Sequence, residues 1–283
     1  MRKRGSRNGF LVLLCHFLSS STGNALADRP DTDFKHSAPL MEFYPRADFL
    51  SALDFLHDKQ NQYTVASATL VFSLARSNDD NARDYFVGQK RIGNLDTLGN
   101  EILGTGVPGA LIGIGAWTWG VRKQSVVLVH FAQANLEAML MTGVVSAVLK
   151  GTVMRERPDR SDRYSFPSGH TSTVAATAMT LYEFYGWRAG VPAFLLTALT
   201  AVSRMSADKH WVSDTVGGAT LGIVFGHVFA RAHLERLKPD SLKSQAFPKV
   251  PALRDSTRIL SELRVFPAVD EAGRVRVVAV SFF

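Results

Sequence analysis

Between residues 106 and 230 the chain carries five helix-length apolar segments, and no run of strand-like alternation interrupts them. They fall at 106–121, 125–149, 171–187, 191–202 and 212–230, the first of them uncharged and stopped by Arg122 and Lys123. Segments of this length, joined by short connections, predict an all-α helical bundle. Gly109 and Gly113, and again Gly218, Gly222 and Gly226, repeat every fourth residue and put small residues on one helical face, where backbones can approach closely. That serves a soluble bundle and a membrane bundle equally. Charge-free runs favour the membrane; runs mostly shorter than about 18 apolar residues, and Glu137 inside the second, favour the soluble form.

The remainder reads differently. Residues 1–27 resemble a signal peptide, with Arg2, Lys3, Arg4 and Arg7, an apolar stretch at 9–18, and Ala25-Leu26-Ala27 as a small-residue cleavage site. Export to the cell envelope is the expected consequence, into the periplasm or into the inner membrane with any active site facing the periplasm. Residues 28–100 are a helical lead-in: a short helix near 49–57, a helix over 60–76, a polar loop at 77–81 and a second helix from about 81 to 90. The core bundle is expected over 101–236. Residues 237–283 form a tail, with a linker at 238–254 and a small C-terminal β-hairpin from runs 263–269 and 274–283 around Asp270-Glu271-Ala272-Gly273.

The formal net charge of +7 sits in the leader and the tail, since residues 28–236 hold 20 basic and 20 acidic side chains. A neutral body lacks the basic footprint of nucleic-acid binding, so no nucleic-acid partner is expected. The single cysteine, Cys15, falls in the leader, which excludes a disulfide or a thiolate zinc site from the exported chain.

Three short clusters lie within residues 150–214. Lys150 and Arg157 are seven apart, nearly one face of a helix that Pro158 would end, and two converging cations suit a phosphoryl group. Pro167-Ser168-Gly169-His170 sits where a loop feeds a helix, whose unpaired N–H groups and positive dipole end attract anions. His210 and Asp214 are four apart, so that on a helix the carboxylate can hold the imidazole in one tautomer, and Arg204 adds a third cation just upstream. Each cluster alone is explained by a solvated helix end, a helix cap or a surface ion pair. Their coincidence in order, all suited to one anion, is what points to a site.

Together, Lys150-x6-Arg157-Pro158, Pro167-Ser-Gly-His170 and Ser203-Arg204-x5-His210-x3-Asp214 resemble the complete signature of the type 2 phosphatidic acid phosphatase / vanadium haloperoxidase superfamily, over about residues 100–236. The resemblance implies a phosphatase acting on a lipid phosphate or a small phosphoester. His210 would be the nucleophile that forms a phosphohistidine, Asp214 its orienting carboxylate and His170 the general acid. Lys150, Arg157, Ser168, Gly169 and Arg204 would bind the phosphate oxygens. No metal and no other cofactor is implied, because three cations already supply the positive charge. Phe166 resembles the lipid-phosphatase branch, whereas the soluble acid phosphatases of the superfamily often carry Tyr there.

A vanadate-dependent haloperoxidase would use the same residues, but such enzymes are usually much longer. A non-enzymatic anion binder would need cations and N–H groups, but neither His210 nor its partner. Some motifs mislead. Gly104-Thr-Gly106-Val-Pro108-Gly109 satisfies G-x-G-x-x-G with no strand before it, so a dinucleotide site is not expected. His130 and Glu137, seven apart, read as polar groups satisfied inside the bundle, and Trp117, Trp119 and Phe131 as core.

Overall fold

A computed structural model describes residues 50, 53–54, 58–87, 98–237, 263–269 and 275–281. The leader at 1–27 and the linker at 238–254 lie outside the described residues, as does most of the short helix expected near 49–57, although 50, 53 and 54 are helical. The described part is an all-α bundle: α1 (Lys59–Arg76), α2 (Asp79–Val87), α3 (Val107–Lys123), α4 (Val126–Val153), α5 (Gly169–Tyr185), α6 (Trp187–Ser206) and α7 (Val212–Arg236). A π-type turn at Leu98–Ile102 and a 3-10 turn at Leu103–Thr105 lead into α3. The expected hairpin is present: β1 (Leu263–Val269) pairs antiparallel with β2 (Val275–Ser281), from Leu263 opposite Ser281 to Val269 opposite Val275.

Local chemistry sets the boundaries. The Asp58 carboxylate accepts from Gln60 N and starts α1, and the Ser125 and Ser168 hydroxyls do the same for α4 and α5. Gly106, at φ 79°, turns the chain into α3 with Pro108 in the first turn. Gly186 alone separates α5 from α6, which forces these two helices to pack side by side.

Three expectations are corrected. The polar loop expected at 77–81 is shorter, a turn at 77–78 only, because α2 begins at Asp79 and the carboxylates of Asp79 and Asp80 suit the positive end of a helix. Lys150 and Arg157 do not share a helix: α4 ends at Val153, Met154 turns left-handed (φ 48°), and Arg157 lies in the following loop. His210 and Asp214 do not share one either. The carboxylate of Asp214 accepts from Trp211 N at 2.9 Å, so α7 starts at Val212 and leaves His210 in the loop before it.

α5 lies at the centre, packed on α4, α6 and α7. Its Ala175, Ala176, Ala178, Met179 and Phe184 are buried. The glycines of α7 explain how closely α7 approaches. A Cβ on Gly218 would stand 2.5 Å from Ser168 O, one on Gly222 2.1 Å from Ser172 O, and one on Gly226 2.7 Å from Ala176 O. Outside, the pattern differs from that of a soluble protein: Leu70 and Leu74 of α1, Leu111 of α3, Leu140 and Val148 of α4 and Leu195 of α6 are exposed, while many Ala, Ser and Thr residues join Phe131, Met179, Phe184 and Phe229 in the interior. Three helices, α4, α6 and α7, are long and apolar enough to cross a membrane.

Candidate active site

Successive core helices reverse direction, so the end of α4, the start of α5, the end of α6 and the start of α7 meet at one end of the bundle. Lys150 stands in the last turn of α4, Ser168 and Gly169-His170 at the start of α5, Arg204 in the last turn of α6, and His210 and Asp214 at the entrance to α7. The 154–168 loop crosses this end. It is tied down by Arg157 N to Asp162 O (3.0 Å), Ser165 N to Arg155 O (3.0 Å), Asp159 N to Asp208 O (3.2 Å) and Ser168 N to Asp214 O (3.0 Å).

His210 is 3% exposed and donates its Nδ1–H to the carbonyl of Ser165 at 2.6 Å. A carbonyl can only accept, so Nδ1 carries the proton and Nε2 keeps a free lone pair in the neutral ring. The carboxylate of Asp214 is 3.9 Å from Nδ1, an electrostatic contact and not a hydrogen bond. Its oxygens are held by Arg155 Nη1 (2.5 Å), Trp211 N (2.9 Å) and the hydroxyl of Ser165. Ser165 thus binds the imidazole through its carbonyl and Asp214 through its hydroxyl. Burial holds the His210 pKa below its ordinary 6.5, with Asp214 opposing that shift.

The cations gather around this ring. Lys150 Nζ donates to Tyr164 O at 2.5 Å, while Arg157 donates from Nε to Asp162 Oδ1 (2.7 Å) and from Nη1 to Lys209 O (3.2 Å). His170 is held down at about 4, first by burial and then by the charges of Arg204, His210, Lys150 and Arg157. A partly buried site where the charges of Lys150, Arg157 and Arg204 all reach one imidazole is electrostatically suited to an anion.

Ser168 is fully buried, and its hydroxyl meets Thr171 Oγ1 at 3.0 Å and caps α5. Gly169 leaves the floor open, since a Cβ there would come 3.7 Å from Ser146 Oγ and 3.9 Å from Lys150 Cε. All eight candidate residues thus meet at one end of the bundle.

Sequence reasoning missed the residues that hold this cluster. Arg155 spans two buried carboxylates, with Nη1 on Asp214 and Nη2 on Asp79 at 2.6 Å, and bonds Ser213 Oγ at 2.7 Å. Its position two before Arg157 carried no separate signal. Ser146, one turn before Lys150, has a buried hydroxyl with no hydrogen-bond partner among the described residues. The G-x-G-x-x-G glycines also have a use: a Cβ on Gly104 would lie 2.4 Å from His170 Cδ2, so the turn at 103–105 packs directly on that imidazole. His130 and one oxygen of Glu137 find a partner not anticipated, with His233 bonding His130 at 2.9 Å and Glu137 Oε2 at 3.0 Å, while the buried Oε1 has no hydrogen-bond partner among the described residues.

Residues 133–238 match the family model described as the PAP2 superfamily. The chain is 30% identical over 245 residues to a lipid A 1-phosphatase of Porphyromonas gingivalis, covering 79% of this chain and 50% of that protein. It is 32% identical over 84 residues to a lipid A 4'-phosphatase of Helicobacter pylori, covering 30% of this chain and 40% of that protein. The chain thus spans half the length, or less, of these curated relatives. Among solved structures, a transmembrane PAP2 type phosphatidylglycerolphosphate phosphatase from Bacillus subtilis aligns at 22% identity and a TM-score of 0.44, over 69% of this chain and 98% of that one.

Proposed function

Residues 133–238 make this chain a member of the PAP2 superfamily, and from that premise we propose that it is a membrane phosphatase that hydrolyses a phosphate monoester carried on a lipid. The observation that carries the lipid half of this reading is a small apolar cleft of about 80 Å³ between α3, α4, α5 and α6. It is lined by Leu103, Ile112, Met139, Val174, Leu181 and Leu196, and Thr173 in its wall is one helical turn from His170. Apart from Thr173 and Thr177 its lining is apolar, which suits part of an acyl chain. The relatives named for lipid A phosphatase activity support the same class.

In this reading Lys150, Arg157 and Arg204, with the hydroxyl of Ser168 and the N–H of Gly169, hold the non-bridging oxygens and stabilise the charge of the trigonal-bipyramidal transition state. His210 attacks phosphorus through Nε2, forming the N–P bond as the P–O bond to the lipid breaks. His170 gives its proton to the departing alkoxide. The neutral His170 then takes a proton from water, whose oxygen attacks phosphorus and releases phosphate from His210. His170 must be protonated for the first step, and the negative charge of a bound phosphate raises its proton affinity from the depressed value of the free site. The side-chain cations supply the charge, and the reaction is metal-independent. The signal-like pattern of residues 1–27 supports a reading in which the site end of the bundle faces the periplasm.

Phosphate release from detergent-solubilised protein, assayed with phosphorylated lipids in mixed micelles and with soluble phosphoesters, tests this reading. The lipids should be strongly preferred, and chelator should have no effect. Equal turnover of a soluble phosphoester would remove the lipid half, and halide oxidation dependent on vanadate and peroxide without phosphate release would replace the reading altogether.

A further inference from the structure

Helix α2 lies outside the matched family region, yet two of its side chains grip both ends of the segment that carries His210. Asp79 and Arg83 are four apart and so share one face of α2. Asp79 is 2% exposed. Its Oδ1 accepts from Ser213 N (3.0 Å), and its Oδ2 accepts from Ser213 Oγ (2.8 Å), Arg155 Nη2 (2.6 Å) and Arg76 Nη1 (3.1 Å). Arg83 faces Asp208 with a parallel fork, Nε to Oδ1 and Nη2 to Oδ2, both at 2.7 Å. Asp208 is two residues before His210 and holds a left-handed backbone (φ 56°), whereas Ser213 is three residues after it. Between Ser206 and Val212 the chain has no helix of its own to fix it.

We propose that α2 is a two-point clamp whose positioning residues, Asp79 and Arg83, set the line along which His210 meets its phosphorus atom. This rests on His210 being the nucleophile. One grip acts through the backbone N–H of Ser213 and through Arg155 on Asp214; the other acts on Asp208 directly. Neither side chain is assigned contact with substrate, so loosening the clamp should slow the chemical step and leave binding alone.

Arg83 is the better handle, because its side chain is 40% exposed and that of Asp208 19%, so solvent screening keeps the pair's contribution to stability small, about 1 kcal/mol or less. Arg83→Ala should lower kcat about tenfold or more with KM within about twofold, since small misplacements of a reacting group cost rate steeply. The unfolding temperature should hardly move. Arg83→Lys should recover part of the rate, and Arg83→Ala with Asp208→Asn should be no slower than Arg83→Ala alone, the non-additivity expected of one shared interaction. A second readout does not need turnover: the low-field proton resonance of His210 Nδ1–H, assigned by its loss in His210→Ala, should broaden or exchange faster in Arg83→Ala. A wild-type protein that releases no phosphate from any ester overturns the catalytic reading, and the resonance then decides the clamp. An Arg83→Ala protein with wild-type kcat, or with an unchanged His210 resonance, overturns the clamp itself.

Discussion

Arg155 Nη1 lies 2.5 Å from Asp214 Oδ1, closer than the His210 ring at 3.9 Å. The carboxylate that would balance the imidazole is thus held by a guanidinium that also binds Asp79. Removing Arg155 takes the guanidinium from buried Asp214 and leaves buried Asp79 with Arg76 at 3.1 Å. Arg155→Ala should destabilise the protein by about 3–5 kcal/mol, read as the unfolding temperature in detergent, and Arg155→Lys should recover only part of this, because a point charge cannot fork between two acids.

Ser165 separates two functions in one residue, its carbonyl holding His210 and its hydroxyl holding Asp214. Ser165→Ala deletes only the second. Its kcat should fall about tenfold, the worth of one hydrogen bond to a charged group, whereas Asp214→Ala should cost considerably more. Equal losses in the two variants would show that Asp214 acts only through Ser165.

His170 gives a signed pH dependence. Its ordinary pKa of 6.5 applies to the unfolded chain, and burial with the neighbouring cations brings it to about 4 in the folded one. Between these values the unfolded state binds a proton that the folded state refuses, so stability is fully present above about 6.5 and is lost as pH falls toward 4. His170→Gln should flatten that limb in unfolding temperatures measured against pH. Inorganic phosphate should raise the titration midpoint of His170 in NMR spectra, and an unmoved midpoint at saturating phosphate would show that the anion binds elsewhere.

The glycines of α7 predict a contrast with α4. A methyl group on Gly222 would collide with the backbone of α5, so Gly222→Ala should cost about 1–3 kcal/mol or more. Gly143, in the middle of α4, meets nothing within 4 Å. Gly143→Ala should be neutral or stabilising by up to about 1 kcal/mol. Thermal unfolding of both variants makes the comparison.

How much of this was legible in the sequence depends on how local each cause is. The core helices could be read because apolar runs are contiguous, and the eight candidate residues could be singled out because each cluster is short. The end of α4 could not be read, since Met154 takes a left-handed turn without a glycine to announce it. The start of α7 depends on Asp214 reaching back to Trp211 N, which a four-residue spacing alone does not distinguish from a continuing helix. Asp79 was invisible for another reason: the partners that tie it to the site, Arg155 and Ser213, lie 76 and 134 residues away, and its nearby partner Arg76 gives no hint of them.

The central claim is that His210 takes the phosphoryl group. Protein mixed briefly with a lipid carrying radiolabelled phosphate and then denatured in alkali, where a phosphohistidine survives, should retain label that acid removes and that His210→Ala never acquires. Label absent from the wild type under turnover, or phosphate release from His210→Ala at the wild-type rate, would contradict it.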